Sequence, residues 1–155
     1  MRALLQRVSQ AECRVDGTPT GSCGVGYLIL LGVGPADDEA TAKLLWEKIR
    51  KLRVFDDAAG KMNLSLEDVG GSVLVVSQFT LYANCRRGNR PSFAEAAPPP
   101  LADELYQYFC QLAEGDLGTE RVGRGIFAAD MKVTLTNDGP VTIWLETETL
   151  TKPRR

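Results

Sequence analysis

Two short polar segments, each joined to an apolar strand-like run, hold the residues most able to do chemistry in this sequence. The first, 77–82, is SQFTLY, and the second, 136–142, is TNDGPVT. Ser77 and Gln78 place polar groups where the preceding apolar run predicts a continuing core strand, and local breaks of this kind are expected at functional sites. The plainer interpretation is a strand that leaves the core, with both side chains satisfying backbone groups.

The chemistry open to these segments is limited by the complete absence of histidine. The usual general base at neutral pH is therefore missing, and no Ser-His or Cys-His pair can form. Thr80 could act as a nucleophile only with a base beside it, and the sequence offers no obvious one. The chain also has neither a phosphate-binding loop motif nor a complete dinucleotide-binding fingerprint.

The second segment contains Gly139-Pro140, and NDGP is first of all a turn signal. Proline removes a backbone donor, and an X-Pro peptide bond can be cis. Glycine leaves the main chain bare, so a ligand could approach the backbone closely here.

A basic loop separates the two segments. Arg86, Arg87 and Arg90 lie within five residues, and Phe93 follows them. Arginine suits phosphate oxygens, although a solvated loop is the plainer interpretation. The formal net charge of −2 argues against long-range attraction to nucleic acid but does not exclude a local basic patch. A loop as long as 84–100 is often functional.

The cysteines and the chain's hydropathy bound the remaining possibilities. Cys13, Cys23, Cys85 and Cys110 lack C-x-x-C spacing, so we expect reduced, mostly structural thiols, no metal site and no cofactor. No apolar run approaches the ~20 residues that a membrane span needs. The N-terminus becomes polar too soon for a signal peptide, which predicts a cytosolic protein.

The elements that must position these residues indicate one mixed α/β domain over residues 1–155. Asp16-Gly17 predicts a hairpin turn after an alternating strand. Apolar residues at helical spacing predict two main helices, and apolar or alternating runs predict further strands. The predicted helices are 35–55 and 101–115, with Gly115 at the end of the second. The later predicted strands are 26–34, 72–83, 131–136 and 141–146, the last two joined by a tight NDGP connection, and 56–71 is predicted as a loop with a short extended segment.

Taken in order, SQFTLY, NRPSF with EAAPP, and NDGPVT resemble the signature regions of the D-aminoacyl-tRNA deacylase family. LQRVSQAECRVDG, KMNLSLEDVGG and FAADMKV also resemble family segments, so the resemblance covers essentially the whole chain. It implies a compact, layered β/β/α fold with mixed sheets and two main helices. It further implies a cytosolic homodimer that hydrolyses the ester between a D-amino acid and the 3′-terminal adenosine of tRNA.

The resemblance also implies which residues form the site. Gly139-Pro140 would be cis and would enter the active site of the partner subunit, where an L side chain would clash with the main chain and a D side chain would not. Glycyl-tRNA, including tRNA-Ala mischarged with glycine, is therefore an expected substrate. Backbone N–H groups near Phe79 and Thr80 could stabilise the oxyanion, with help from the substrate's own 2′-hydroxyl. The catalytic segment would be Ser77, Gln78, Phe79 and Thr80, the substrate would also meet Asn137, Phe127 and Met131, and tRNA would contact Arg86, Arg87, Arg90 and, as a weaker candidate, Arg7.

Two other functions remain open from the sequence. A non-catalytic tRNA-binding dimer would keep the basic loop without turnover, but the intact Gly-Pro motif weighs against it. A general small-ester hydrolase would use Thr80 or Cys85 and show no chiral preference. The missing histidine partner weighs against that second function. Cys85 stands where the family resemblance leads us to expect threonine or another small polar residue.

Overall fold

The long strand Arg2–Val15 organises the main sheet by pairing with three other strands in the computed structural model, which describes residues 1–154. The strands are β1 (Arg2–Val15), β2 (Thr18–Cys23), β3 (Gly26–Gly32), β4 (Phe55–Asp56), β5 (Met62–Leu64), β6 (Ser72–Ser77), β7 (Val122–Arg124) and β8 (Lys132–Glu146). The helices are α1 (Glu39–Lys51), α2 (Pro99–Leu117) and the short α3 (Thr147–Leu150). The main sheet has the order β2-β1-β3-β6-β7, and β8 pairs with the other edge of β1. The predicted domain extends one residue beyond the described range.

Two features of the sheet, the turn between β1 and β2 and the approach of β2 to β7, need backbone conformations or space that few residues allow. Asp16 and Gly17 have φ values of 50° and 78°, which a two-residue turn between β1 and β2 requires, so the predicted hairpin is confirmed. At Gly21 a Cβ atom would lie 2.5 Å from the backbone of Arg124. Only glycine therefore lets β2 approach β7, and this approach curls the sheet into a nearly closed barrel.

The helices cover one face of the curled sheet. α1 begins after Asp38, whose carboxylate accepts a hydrogen bond from the Thr41 N–H at 2.9 Å, and this cap starts the helix later than the predicted 35–55. α2 runs to Leu117 and ends at Gly118, with φ 89°, rather than at the predicted Gly115. Both helices bury their apolar faces against alternate residues of β3 and β6, including Tyr27, Ile29, Val73 and Val75.

The opposite face of the sheet holds a smaller apolar cluster inside the curl, with the buried residues Val8, Ala11, Cys13, Cys23, Leu28, Leu74 and Val76. The predicted mixed α/β fold with two main helices is confirmed. No helix within residues 1–154 is long and apolar enough to cross a membrane.

One predicted strand is shorter in the structure. The strand predicted over 72–83 ends at Ser77, and Phe79–Tyr82 form a 3₁₀ helix instead. A four-residue segment is too short to show a hydrophobic period of its own. The short extended segment predicted within 56–71 is β5, which pairs with β4 in a small two-stranded sheet.

The NDGP segment is a bulge within one strand, so the prediction of two strands around a tight connection is wrong. Val8 pairs with Asn137 and Gln6 pairs with Thr142, so both halves of β8 run antiparallel to β1. The Asn137 side chain closes the bulge, because its Oδ1 accepts from the Val141 N–H and its Nδ2 donates to Thr142 Oγ1, each at 2.9 Å. The intervening residues leave the sheet opposite Arg7, and the strand then resumes its direction.

Candidate functional site

A cavity of about 570 Å³ opens where β6 ends, a size typical of ligand sites. Its walls come from the ends of β3 and β6, the loop before α2, the first turn of α2 and the segment that leads into β8. Most of the lining is apolar. Its polar side chains are Ser77, Gln78 and Asp130.

The local fold explains why backbone groups are available here. Gln78 donates its N–H to the Leu31 carbonyl at 2.8 Å, which completes the strand pairing before the chain turns into the 3₁₀ helix. The N–H groups in the first turn of a helix have no partner within it. Among residues 1–154, neither the Phe79 nor the Thr80 N–H donates to another group. Two donors thus lie at the strand end beside the cavity.

Five of the predicted site residues line this cavity: Ser77, Gln78, Phe79, Phe127 and Met131. Thr80 lies just behind them, where its hydroxyl accepts a hydrogen bond from the Gln78 amide. Within the described part of the chain, no acid or amine forms a hydrogen bond with the Thr80 hydroxyl. Thr80 therefore orients Gln78 and has no base to activate it as a nucleophile.

Phe127 and Met131 are positioned by close packing around β6. The Phe127 ring lies 6.2 Å from that of Tyr106, whose hydroxyl donates to the Val75 carbonyl at 2.8 Å. Burial raises the pKa of Tyr106 well above its ordinary value, so this hydroxyl stays neutral and keeps donating. Close to Phe127, a Cβ on Gly125 would lie 2.7 Å from the Met131 sulfur, so glycine at this position lets the Met131 side chain lie against the backbone.

The charged groups at the cavity do not form an acid–base pair. Asp130 is the one charged side chain in the lining, it is 87% exposed, and it pairs with Lys132 at 3.0 Å. Among residues 1–154 no cluster of three or more cysteine or acidic side chains is arranged to hold a metal ion. The arrangement is therefore suited to binding an apolar group and to stabilising charge with backbone donors.

Gly139 and Pro140 lie on the exposed bulge of β8, and the peptide bond between them is cis. Neither lines the cavity of its own chain. The bulge faces Arg7, which pairs with Tyr27 and through it with Val73. The cavity includes Ser77, which lies further along β6 than Val73 and three strands across the main sheet from the bulge.

Arg7 lies beneath the bulge and is only 8% exposed. Its Nε donates to the Asp138 carbonyl at 2.9 Å, and another guanidinium nitrogen donates to the Val54 carbonyl at 2.7 Å. The structure thus places Arg7 inside the fold and away from the basic loop with which the sequence grouped it. A signal was present, because Arg7 continues the buried alternation of Ala3 and Leu5.

The loop arginines lie at an exposed tip. Asn84 and Ser92 exchange backbone hydrogen bonds of 2.8 and 2.9 Å, which close the base of the loop. The side chains at the tip, Cys85, Arg86, Arg87 and Arg90, are exposed. Within residues 1–154 no acidic side chain forms an ion pair with these arginines. Cys13, Cys23 and Cys110 are buried, and none of the four thiols forms a disulfide.

Comparison with known proteins shows the family to which the chain belongs. Residues 4–146 match the family model described as D-Tyr-tRNA(Tyr) deacylase. A D-aminoacyl-tRNA deacylase from Anaeromyxobacter dehalogenans (strain 2CP-C) is 56% identical over 97% of this chain and 99% of its own length.

Two solved structures share the fold. One, titled c-Myc DNA Unwinding Element Binding Protein, is 38% identical, covers 94% of this chain and 98% of its own, and has a TM-score of 0.89. The other, described as a probable eukaryotic D-amino acid tRNA deacylase, is 16% identical, covers 93% of this chain and 97% of its own, and has a TM-score of 0.83. The chain therefore belongs to the D-aminoacyl-tRNA deacylase family, a family of hydrolases, as the order of its motifs indicated.

Proposed function

We propose that the protein hydrolyses the ester bond between a D-amino acid and the 3′-terminal adenosine of tRNA, releasing both. The observation that carries the proposal is the cavity at the end of β6, where Ser77, Gln78 and Phe79 meet an apolar wall without any acid–base pair. An aminoacyl ester is already activated and needs little side-chain acid–base help. The family membership supports the same substrate class.

In this proposal the backbone supplies the main stabilisation of the transition state. The free N–H groups of Phe79 and Thr80 hold the oxyanion that develops on the ester carbonyl. The substrate's 2′-hydroxyl assists the attacking water. Gln78, held by Thr80, binds and orients the substrate, and Ser77, Phe127 and Met131 shape the pocket.

A homodimer brings the Gly-Pro bulge to a cavity. Within one chain neither Gly139 nor Pro140 lines the cavity, so in this proposal the bulge of one chain meets the cavity of another. Within residues 1–154 no helix covers the second face of the sheet, on which Leu4 and Leu30 pair beside Trp144. Trp144 is 47% exposed and Phe79 at the cavity is 55% exposed, and large exposed apolar side chains of this kind favour an interaction site. A second copy of the chain is the partner that we propose for it.

Gly139 and Pro140 of one subunit would then act as the chiral filter for the cavity of the other. Their bare main chain would bind close to the substrate Cα, where an L side chain collides with it and a D side chain points away. Asn137 holds the bulge closed, and Arg7 anchors it from below. Glycine carries no side chain to collide, so glycyl-tRNA, including tRNA-Ala mischarged with glycine, is also hydrolysed.

The loop arginines are the proposed contacts to tRNA phosphates. Arg86, Arg87 and Arg90 are exposed and lie on the loop that forms one wall of the cavity, so they can reach the backbone of a bound 3′ end. Arg7 is not among these contacts, since its guanidinium is engaged inside the fold. A tRNA substrate also supports placing the enzyme in the cytoplasm.

The direct test is deacylation of D-tyrosyl-tRNA and L-tyrosyl-tRNA, side by side, with a chelator present. We expect rapid release of D-tyrosine while L-tyrosine stays attached. Equal release of both would favour a general esterase that uses Thr80 or Cys85. Binding of tRNA without release of either would favour a non-catalytic tRNA-binding dimer.

A further inference from the structure

Phe79 and Phe93 form an exposed aromatic pair at the cavity. Their ring centroids are 4.9 Å apart and their planes are inclined at 73°, an edge-to-face contact that fixes one ring against the other. Phe79 is 55% exposed and Phe93 is 37% exposed, although both line the cavity. The pair therefore presents apolar ring surface both to the cavity and to solvent.

Phe93 also lies at the junction between the cavity and the arginine tip. The backbone hydrogen bonds between Asn84 and Ser92 close the base of the loop, and the Asn84 amide donates to the Glu95 carboxylate at 3.1 Å across it. Phe93 directly follows this closed base. The ring is thus held where the wall of the cavity meets the loop that carries the cationic side chains.

From the inside outwards, the surface offers an apolar cavity, an aromatic ring and then arginines. A tRNA 3′ end offers its groups in a matching order, with the aminoacyl ester first, then unpaired bases and the phosphates that link them. Unpaired bases are bound mainly by stacking on aromatic side chains, while basic residues follow the phosphates. The charge of the loop thus complements a nucleic acid strand that leaves the cavity past Phe93.

We propose that Phe93 stacks an unpaired base of the tRNA 3′ end, upstream of the terminal nucleotide whose ester enters the cavity. This inference rests on the proposed function and adds a base-binding position to it. Phe79 packs against the Phe93 ring and restricts its motion, so less side-chain conformational entropy is lost when a base stacks on Phe93.

The test compares two substrates, D-tyrosyl-tRNA and D-tyrosyl-adenosine, which lacks every upstream base. Phe93→Leu keeps an apolar contact to Phe79 but removes the flat ring, and Phe93→Tyr keeps the ring. Val25→Ala is the matched control, because Val25 is 55% exposed and precedes β3 at the end opposite the cavity. Thermal unfolding of each variant checks that the fold is intact.

For Phe93→Leu we expect kcat/KM on D-tyrosyl-tRNA to fall by about 5- to 150-fold, the range given by loss of one stacked base. The loss should lie in KM, and D-tyrosyl-adenosine should be cleaved at the wild-type rate. Phe93→Tyr and Val25→Ala should match the wild type on both substrates. Equal losses on both substrates would overturn the inference, because Phe93 would then act on the cavity itself. Unchanged kinetics on both would overturn it as well, whereas a wild-type protein inactive on D-tyrosyl-tRNA would refute the proposed function first.

Discussion

Arg7→Lys tests whether the anchor beneath the Gly-Pro bulge matters for both stability and catalysis. The Arg7 guanidinium bonds the Asp138 carbonyl at 2.9 Å and the Val54 carbonyl at 2.7 Å from different nitrogens. Lysine keeps the charge but is a compact point donor without the planar fork. We therefore expect the variant to lose one of these two hydrogen bonds and the bulge to lose its fixed position.

The magnitude follows from the kind of bond that is lost. A hydrogen bond from a charged group contributes about 1.5–3 kcal/mol to the free energy of unfolding. For a chain of this size each kcal/mol lowers Tm by about 2–4 °C, so the variant should melt about 3–12 °C lower than the wild type. The displaced bulge should also slow release of D-tyrosine from D-tyrosyl-tRNA.

Urea unfolding and single-turnover deacylation measure the two effects. Arg14→Lys is the matched control on the same strand. The Arg14 side chain is 47% exposed, and among residues 1–154 it pairs with Glu12 and a turn carbonyl alone. Exposed pairs contribute at most about 1 kcal/mol. Wild-type stability together with a wild-type rate in Arg7→Lys would refute the anchoring role.

Three further outcomes are expected. Thr80→Ala should slow deacylation of D-tyrosyl-tRNA about tenfold, as loss of one oriented hydrogen bond of about 1.4 kcal/mol would; complete inactivity with an ester trapped on Thr80 in the wild type would contradict this. Replacing Arg86, Arg87 and Arg90 together with glutamine should lower the slope of log affinity against log salt by about 2, and an unchanged slope would remove the loop from the interface. Burial raises the pKa of the Cys23 thiol from 9.0 to about 11. The contribution of this thiol to the free energy of unfolding is therefore complete below pH 9 and should fall by about 1.4 kcal/mol per pH unit between pH 9 and pH 11. Urea titrations of Cys23→Ala across that range should show a smaller decline in the free energy of unfolding than the wild type, and an equal decline would exclude Cys23 as its source.

Much of the fold could be predicted because its signals are local. The stripe of Leu45 and Ile49 in α1, the Asp16-Gly17 turn and the apolar run of β6 each determine their own element. The order of the SQFTLY, NRPSF and NDGPVT motifs likewise indicated the family. Hydrophobic period and turn chemistry act over a few residues, so a single sequence contains them.

The remainder depends on which strands meet, and a single sequence does not contain that information. Two alternating segments around NDGP have the same pattern whether they form a hairpin or flank a bulge, and only pairing of both with β1 decides between these arrangements. The role of Arg7 has the same origin, because Asp138 and Val54 are distant in sequence and meet only in the fold. The cavity likewise needs the segment that holds Phe127 to fold back against the end of β6.

The central claim is that each active site combines the cavity of one subunit with the Gly-Pro bulge of its partner, and subunit mixing tests it most directly. Gly139→Ala should displace the bulge, because Gly139 has φ 141° and a Cβ there would lie 2.8 Å from the Val141 nitrogen. Ala96→Trp should fill the cavity, whose wall includes Ala96. Each homodimer should fail to cleave D-tyrosyl-tRNA.

Refolding the two variants together in equal amounts should restore about a quarter of the wild-type activity, since half of the symmetric dimers become mixed and each mixed dimer has one intact site. Size-exclusion chromatography and thermal unfolding check that both variants fold and pair. No recovery on mixing, with mixed dimers demonstrably formed, would contradict the shared site.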